Sequence, residues 1–371
     1  MKVAIHVGQL LQPTPGGIGR YVEELVLALR DQPVSMLPFA AGPLPPAVRA
    51  RLGGPGHAEL AYRDLGRPHG SQRYLLWHYL RGPGLRLGEV DVVHAPSVAV
   101  PPPGRAPLVV TIHDVAFLRC PEHFTRWGVR FHARGLALSR RHAAAIVVAS
   151  EFTRDELVRE GFDPVRLHVV PHGVRVDAPA PPDDATRLRT LGIERPFVLF
   201  VGTIEPRKGV ALLIDVVREV RATHPSLALA VAGPRGWGAV AGLDEPWVHE
   251  LGAVEDRDLD ALYRTALLCA VPSSYEGFGF PALEAMARGC PVLASDTTSL
   301  PEVLGDGGLL LPVDDRRAWR DAIVTLVDDA DRRAALGERG RIRAGQYTWE
   351  RSAAGHLAAY RAAAHHSAAR R

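Results

Sequence analysis

Short apolar runs alternate with amphipathic stretches along most of the chain, which is the pattern of strands followed by helices. Val3 to Val7 reads as a strand. The loop GQLLQPTPGGIG follows, and Val22, Leu25, Val26 and Leu29 then fall on one helical face. VDVVHAP and PLVVTIHDVAF give two more strands, each with a histidine at or near its carboxyl end. Glu122 to Ala145 predicts a helix, AAIVVAS a strand, EFTRDELVREG a helix capped by Ser150, and LHVVPHGV a further strand. Between Ala41 and Gly88, prolines, glycines and arginines interrupt every period except in SQRYLLWHYLRG, an aromatic-rich helical segment.

The polar, proline-rich stretch from Asp177 to Asp184 marks a domain boundary, after which the alternation restarts. Phe197 to Val201 is a strand, GTIEPRKG a loop, and Val210 to Ala222 a helix. Leu227 to Ala232 and Leu267 to Val271 are strands on either side of a helix at Asp256 to Thr265. The repetition predicts an α/β chain of two doubly wound parallel-sheet domains, residues 1–176 and 177–349, with a cleft between them. The tail from Thr348 reads as an alanine-rich helix.

Hydrophobic residues are 47% and charged residues 23% of the 371, which is enough apolar material for two cores. With a net charge of only +3 and no long basic tract, no nucleic-acid partner is expected. Cys120, Cys269 and Cys290 lack metal-ligand spacing and are odd in number, which points to a reduced, cytoplasmic chain. MKVAIHVGQLL is too short an apolar stretch for a signal peptide, and no run approaches the roughly 20 apolar residues of a membrane helix. Membrane contact is therefore expected to be peripheral at most. Arg126, Arg130, Arg134 and Arg141 share roughly one helical face beside Trp127 and Phe131. That face suits either solvent or an anionic lipid surface.

Candidate chemistry concentrates in VPSSYEGFGFPALEAMARGCPVLASDTTSLPEV, from Val271 to Val303. A strand ends at Pro272, and Glu276 and the glycine-rich GFGFP lead into a helix whose start would favour an anion. Gly277 and Gly279 let the backbone approach a ligand closely. Glu276 in the loop and Glu284 in the first helical turn are placed to accept hydrogen bonds from sugar hydroxyls. In GTIEPRKG, Arg207 and Lys208 again lie between a strand end and a helix start, where they are either an anion site or a solvated pair, and Glu205 stands beside them. Gly16, Gly17 and Gly19 are only part of a dinucleotide fingerprint, so this loop is either a ligand-binding turn or a plain helix start. Asp314 and Asp315 read as a helix start rather than a metal pair. His113 and His94, near the ends of their strands, are either structural or ligand-facing.

PSSYEGFGFPALEAMARGCPV, EPRKG, VVTIHD and GGIGRYVEEL together resemble the retaining glycosyltransferases of family 4, whose mark is two glutamates spaced as Glu276 and Glu284 are. The resemblance covers nearly the whole chain and is looser before Gly88. It implies a GT-B architecture of two facing Rossmann-like domains, with the C-terminal helix, from about residue 350 to 371, packing back on the first. It also implies transfer of a hexosyl group, mannosyl favoured, from a nucleoside diphosphate sugar to an acceptor hydroxyl, with retention of configuration and no metal or other cofactor. Arg207 and Lys208 would neutralise the donor diphosphate, Glu276 would hold the sugar, Glu284 the ribose, and His113 a sugar hydroxyl. Gly16, Gly17, Gly202, Glu205, Gly277, Phe278, Gly279 and Phe280 would line the donor. Arg20, Trp77, His94 and Asp114 are the acceptor-side candidates, with Asp114 placed either to bind the His113 ring or to cap the following turn. The alternatives are a non-catalytic sensor of sugar nucleotides and an epimerase or phosphorylase of the same fold.

Overall fold

The computed structural model describes residues 1–12, 15–53, 61–176, 183–193 and 196–368. Residues 177–182, most of the proline-rich boundary, lie outside them, as does the side chain of His366. The chain divides into two compact units, residues 1–173 with 349–371, and residues 174–348.

In the first unit the strands are β1 (Lys2–His6), β2 (Ser35–Ala40), β3 (Arg63–Asp64), β4 (Val92–Ala95), β5 (Leu108–Thr111), β6 (Ala143–Val148) and β7 (Leu167–Val169). Among the described residues they make a seven-stranded sheet in the order β3-β2-β1-β4-β5-β6-β7, parallel throughout. A parallel sheet covered by helices buries both faces, so its strands carry apolar residues at successive positions. Val92, Val93, Val109, Val110, Ile146, Val147 and Val148 are all buried accordingly. β2 gave no strand signal because Pro38 interrupts its apolar run. Pro38 pairs in register with Ile5, while β3 reaches only Phe39 and Ala40.

Two helices depart from expectation. The helix placed from Glu122 spans Arg126–His142, because residues 121–123 form a separate 3-10 turn and Thr125 Oγ1 accepts the Gly128 amide at 3.0 Å, fixing a later N-cap. The aromatic segment is a helix, Gly70–Leu75, that opens into a wider turn over Leu76–Leu80. Trp77 is wholly buried in the core between this segment and the sheet.

The C-terminal helix Trp349–Ala368 belongs to the first unit, and a buried hydrogen-bonded chain ties it to the sheet. His356 Nδ1 lies 2.7 Å from the Ser352 carbonyl. A carbonyl only accepts, so Nδ1 carries the proton; burial keeps the ring neutral, so Nε2 accepts from Tyr21, 2.7 Å away. The remaining directions follow. Thr111 donates to the Tyr21 oxygen at 2.8 Å, His94 Nε2 donates to Thr111 at 2.8 Å, and Tyr360 donates to His94 Nδ1 at 2.8 Å. Burial holds His94 neutral as well, which fits one donating and one accepting ring nitrogen.

Burial holds several rings of this unit in the neutral form: His6, His78 and His356 are pushed down to about 4, and His94 and His172 fall well below the ordinary value. On unfolding, each regains an ordinary value near 6.5. Their contribution to stability is thus full above pH 6.5 and is lost as the pH falls from there toward 4, by up to about 1.4 kcal/mol per pH unit per ring. The melting temperature should fall steeply between neutrality and about pH 5. A flat profile over that range would contradict the buried neutral rings.

In the second unit the strands are β8 (Phe197–Val201), β9 (Ala228–Ala232), β10 (Val248–Gly252), β11 (Leu268–Val271), β12 (Val292–Ser295) and β13 (Leu309–Leu311). Among the described residues they form a six-stranded sheet in the order β10-β9-β8-β11-β12-β13, again parallel. Its core gathers Val198, Phe200, Leu229, Val231 and Leu268 from the strands with Leu213, Val217, Trp319 and Ile323 from the covering helices. Asp315 Oδ1 accepts the Ala318 amide at 3.0 Å and so caps the helix Arg316–Asp328.

Candidate active site

In the second unit, β8 and β11 are neighbours from which the strand order runs off in opposite directions. Loops leaving their carboxyl ends therefore meet at the switch point of the sheet, where open α/β sheets bind ligands. Those loops are residues 202–209 and 272–279, the two segments singled out from sequence. Backbone ties hold them together: the Ser274 amide donates to the Arg207 carbonyl at 2.8 Å, and Arg207 Nη1 donates to the Tyr275 carbonyl at 2.7 Å.

Four charges converge there. Lys208 Nζ donates to Glu276 Oε1 at 2.6 Å, and Ser273 Oγ donates to the same oxygen at 2.7 Å. Arg207 places Nη2 2.8 Å from Glu205 Oε1 and Nη1 3.7 Å from Glu276 Oε2. Both carboxylates are buried. Burial works to raise the Glu276 pKa, but Lys208 and Arg207, with the hydrogen bonds from Lys208 and Ser273, outweigh it and hold the carboxyl below its ordinary range. Glu276 is thus a fixed carboxylate clamped by cations, not a proton donor at neutral pH. An ammonium has three donors, so Lys208 keeps capacity for a second anion.

The backbone of Glu276 is fixed as well. Its amide donates to Thr298 Oγ1 at 3.1 Å, and Ser299 Oγ donates to its carbonyl at 2.9 Å. Thr298 sits at φ 55, a conformation that costs a branched residue energy and that surrounding structure must impose. Ser273, Tyr263, Thr298 and Ser299 were not picked out as site residues from sequence. Ser273 meets Glu276 within its own loop, while Tyr263, Thr298 and Ser299 meet partners 21, 22 and 23 residues away, a distance at which spacing gives no signal.

Glu284 corrects one expectation. The helix begins at Phe280 rather than Pro281, so its first turn holds no acidic residue and Glu284 lies one turn in. There it is buried, and the Tyr263 hydroxyl donates to its Oε2 at 3.1 Å. Gly279, at φ 100, is the N-cap, and no side chain caps the helix. Gly277 is buried in the same turn. Phe278 is buried with its ring 5.6 Å from Phe280 and 6.0 Å from Tyr347, so it packs the loop, while Phe280 is half-buried. Gly202, directly after β8, donates its amide to Ala232 at 2.9 Å.

In the first unit, the switch point falls between β1 and β4. Gly16 and Gly17 are exposed at the start of the helix Gly16–Leu29, which also carries the half-buried Arg20 and which no side chain caps among the described residues. Half-buried His113, just past β5, donates Nε2 to the Pro96 carbonyl at 2.9 Å and stands edge-on to Tyr21, ring centroids 5.1 Å apart. Burial lowers its pKa, with the Pro96 carbonyl and Asp114 opposing. Asp114 accepts the Ala116 amide at 3.0 Å and so caps the turn. Two acceptor-side expectations are corrected. Trp77 is fully buried and offers no face for stacking, and His94 is fully buried with both ring nitrogens bonded to protein. The cysteine spacing also missed a grouping: ligand atoms of Cys120, Glu122 and His123 lie within 4.8 Å of one another on a surface turn.

Residues 15–178 match the model described as Glycosyltransferase Family 4, and residues 189–343 match the one described as Glycosyl transferases group 1. The chain belongs to the family 4 glycosyltransferases. O-antigen chain mannosyltransferase B of Escherichia coli is 34% identical over 68% of this chain and 70% of its own length. The D-inositol 3-phosphate glycosyltransferase of Kineococcus radiotolerans is 31% identical over 100% of this chain and 96% of its own. Among solved structures, Anabaena HepE in complex with UDP and glucose superimposes with a TM-score of 0.72 at 20% identity, covering 96% of this chain and 98% of that one. That likeness shows the fold, which is the GT-B fold. Among the described residues of this glycosyltransferase, no helix is long and apolar enough to cross a membrane.

Proposed function

We propose that this glycosyltransferase moves a hexosyl group, mannosyl in preference, from a nucleoside diphosphate sugar to an acceptor hydroxyl of a glycan, glycolipid or smaller metabolite, with retention and without a metal. One observation carries the reading: Lys208 and Arg207 converge on Glu276 at the switch point. Two fixed cations there can neutralise a leaving diphosphate in the manner of a metal ion. Glu276, held as a carboxylate, accepts from sugar hydroxyls, and its engagement by Lys208 and Ser273 makes it a poor nucleophile. Retention then rests on the leaving phosphate taking the acceptor proton on the face from which it departs. In the first unit, His113 is the candidate for a hydrogen bond to a sugar hydroxyl. The mannosyl preference is supported by the E. coli relative's name. The exposed Arg126, Arg130 and Arg134 beside exposed Trp127 support a peripheral contact with an anionic membrane face.

The test is turnover with a panel of GDP, UDP, dTDP and ADP sugars, with and without chelator, reading the product anomer by NMR. A retained anomer formed in chelator is expected. An inverted anomer rejects retention, loss of activity in chelator rejects metal independence, and binding without turnover moves the sensor reading ahead. Glu284→Ala should weaken nucleoside diphosphate binding roughly 10- to 100-fold, the loss of hydrogen bonds to a charged group, with a smaller effect on kcat. Calorimetry that finds unchanged affinity removes Glu284 from the ribose.

A further inference from the structure

A second basic site lies in the first unit, built from parts that the proposed transfer reaction leaves unused. Arg81, Arg134, Arg141 and His142 line a half-open cavity of about 460 Å³ together with Pro102, Pro103, Ala137 and Leu138, and among the described residues no acidic side chain stands in its wall. Several arginines elsewhere on this surface are paired: Arg119 with Glu156 and Glu160, Arg154 with Glu151 and Asp155, Arg51 with Glu23. Among the described residues, none of the three in the cavity has a carboxylate partner.

Their positions are built rather than floppy. Arg81 adopts a left-handed backbone, φ 50, and its guanidinium donates to the carbonyls of Trp77 at 2.6 Å, Val100 at 3.2 Å and Pro101 at 2.9 Å. Those bonds to neutral groups leave its charge uncompensated. Arg134 Nε is anchored on the His78 carbonyl at 3.0 Å. The charges are felt locally: burial, then Arg81, Arg141 and Arg134, push the His142 pKa down. A helix end attracts cations in its last turn, which accounts for Arg141 and His142. It does not account for Arg134 two turns back or for Arg81 from another segment.

We propose that this cavity is an anion site, distinct from the donor loops, that takes a phosphate group in the fork of Arg81, Arg134 and Arg141. Guanidinium groups match phosphate oxygens bidentately and hold them in a fixed geometry. The phosphate has two sources, a soluble phosphate or phosphate ester and the headgroup of an anionic lipid.

The experiment uses the full chain with two probes. The first is inorganic phosphate, titrated against matched chloride while the His142 ring is followed by NMR and assigned with His142→Gln. An anion beside the ring should raise its pKa, and Arg141→Glu should abolish that rise. The second is co-sedimentation with phosphatidylglycerol–phosphatidylcholine vesicles, where Arg141→Glu should weaken binding roughly tenfold or more. Arg141 is exposed, and among the described residues its side chain makes no hydrogen bond or ion pair. Arg141→Gln supplies a milder version, and Arg317→Glu, an exposed arginine of the other unit, controls for net charge. A phosphate response lost in the variant supports the site with a soluble ligand. A vesicle response alone, lost in Arg141→Glu and kept in Arg317→Glu, supports it with a lipid headgroup. No Arg141-dependent response in either arm, or an equal loss in Arg317→Glu, overturns it.

Discussion

Lys208→Ala should lower kcat by roughly 10²- to 10³-fold at saturating donor, the usual consequence of removing one preorganised group that stabilises charge in a transition state. The ammonium is fixed before any substrate arrives, 2.6 Å from Glu276 Oε1, so it costs little reorganisation when charge builds on the leaving diphosphate. A second consequence separates this variant from a simple loss of binding. Glu276 is buried and stays ionised because two cations and a serine hydroxyl outweigh its burial; without Lys208 its pKa must rise. In the wild type the stabilisation from this lowered pKa is present above the unfolded value and lost as the pH falls through the folded one. In the variant that window moves upward, so the acid limb of kcat/KM should shift to higher pH. Lys208→Arg retains the charge but not its shape and should recover only part of the rate. Steady-state kinetics across pH, normalised to folded enzyme, provide the measurement. A kcat within a few-fold of wild type with an unmoved acid limb would take the diphosphate role away from Lys208.

The sheets and the two loops were legible in the sequence because they rest on local pattern. Parallel strands need uninterrupted apolar runs, and Phe197–Val201 and Leu268–Val271 supplied them; β2 did not, because of Pro38. GTIEPRKG and SSYEGFGFP each sit at a strand end, so their basic and acidic residues could be placed at a sheet edge without knowing the strand order. What decides the chemistry was not legible. That Lys208 clamps Glu276 depends on β8 lying beside β11, a pairing across nearly 70 residues. Trp77 and His94 carry the residue types of a sugar platform and a polar ligand, yet they became core. Trp77 fills the space under its helix, and His94 found Thr111 and, 266 residues away, Tyr360. A single sequence contains no signal for such partners. The strain at Thr298 is equally invisible, since nothing in DTTSLPE announces a left-handed threonine.

Gly209→Ala should destabilise the second unit by roughly 2–5 kcal/mol, combining about 1–2 kcal/mol for a side chain in a left-handed backbone with a further 1–3 for overpacking. Gly209 sits at φ 72, and a Cβ there would lie 2.1 Å from the Pro272 carbonyl oxygen. That oxygen cannot yield cheaply. Pro272 directly follows β11, whose last residue, Val271, pairs with Ala294 of β12, so relief must come from separating the two loops. Separation would stretch the Ser274 amide bond to Arg207 and draw Lys208 away from Glu276, so catalysis should fall with stability. Gly252→Ala isolates the backbone contribution, because Gly252 has φ 64 and nothing within 4 Å of a Cβ. The melting temperature should drop by roughly 5–15 °C for Gly209→Ala and by only a few degrees for Gly252→Ala. Activity per folded molecule should fall only in the first. If the two variants melt alike and both keep full activity, the close approach of the loops is not what holds the cations on Glu276, and the preorganisation argued for Lys208 loses its structural basis.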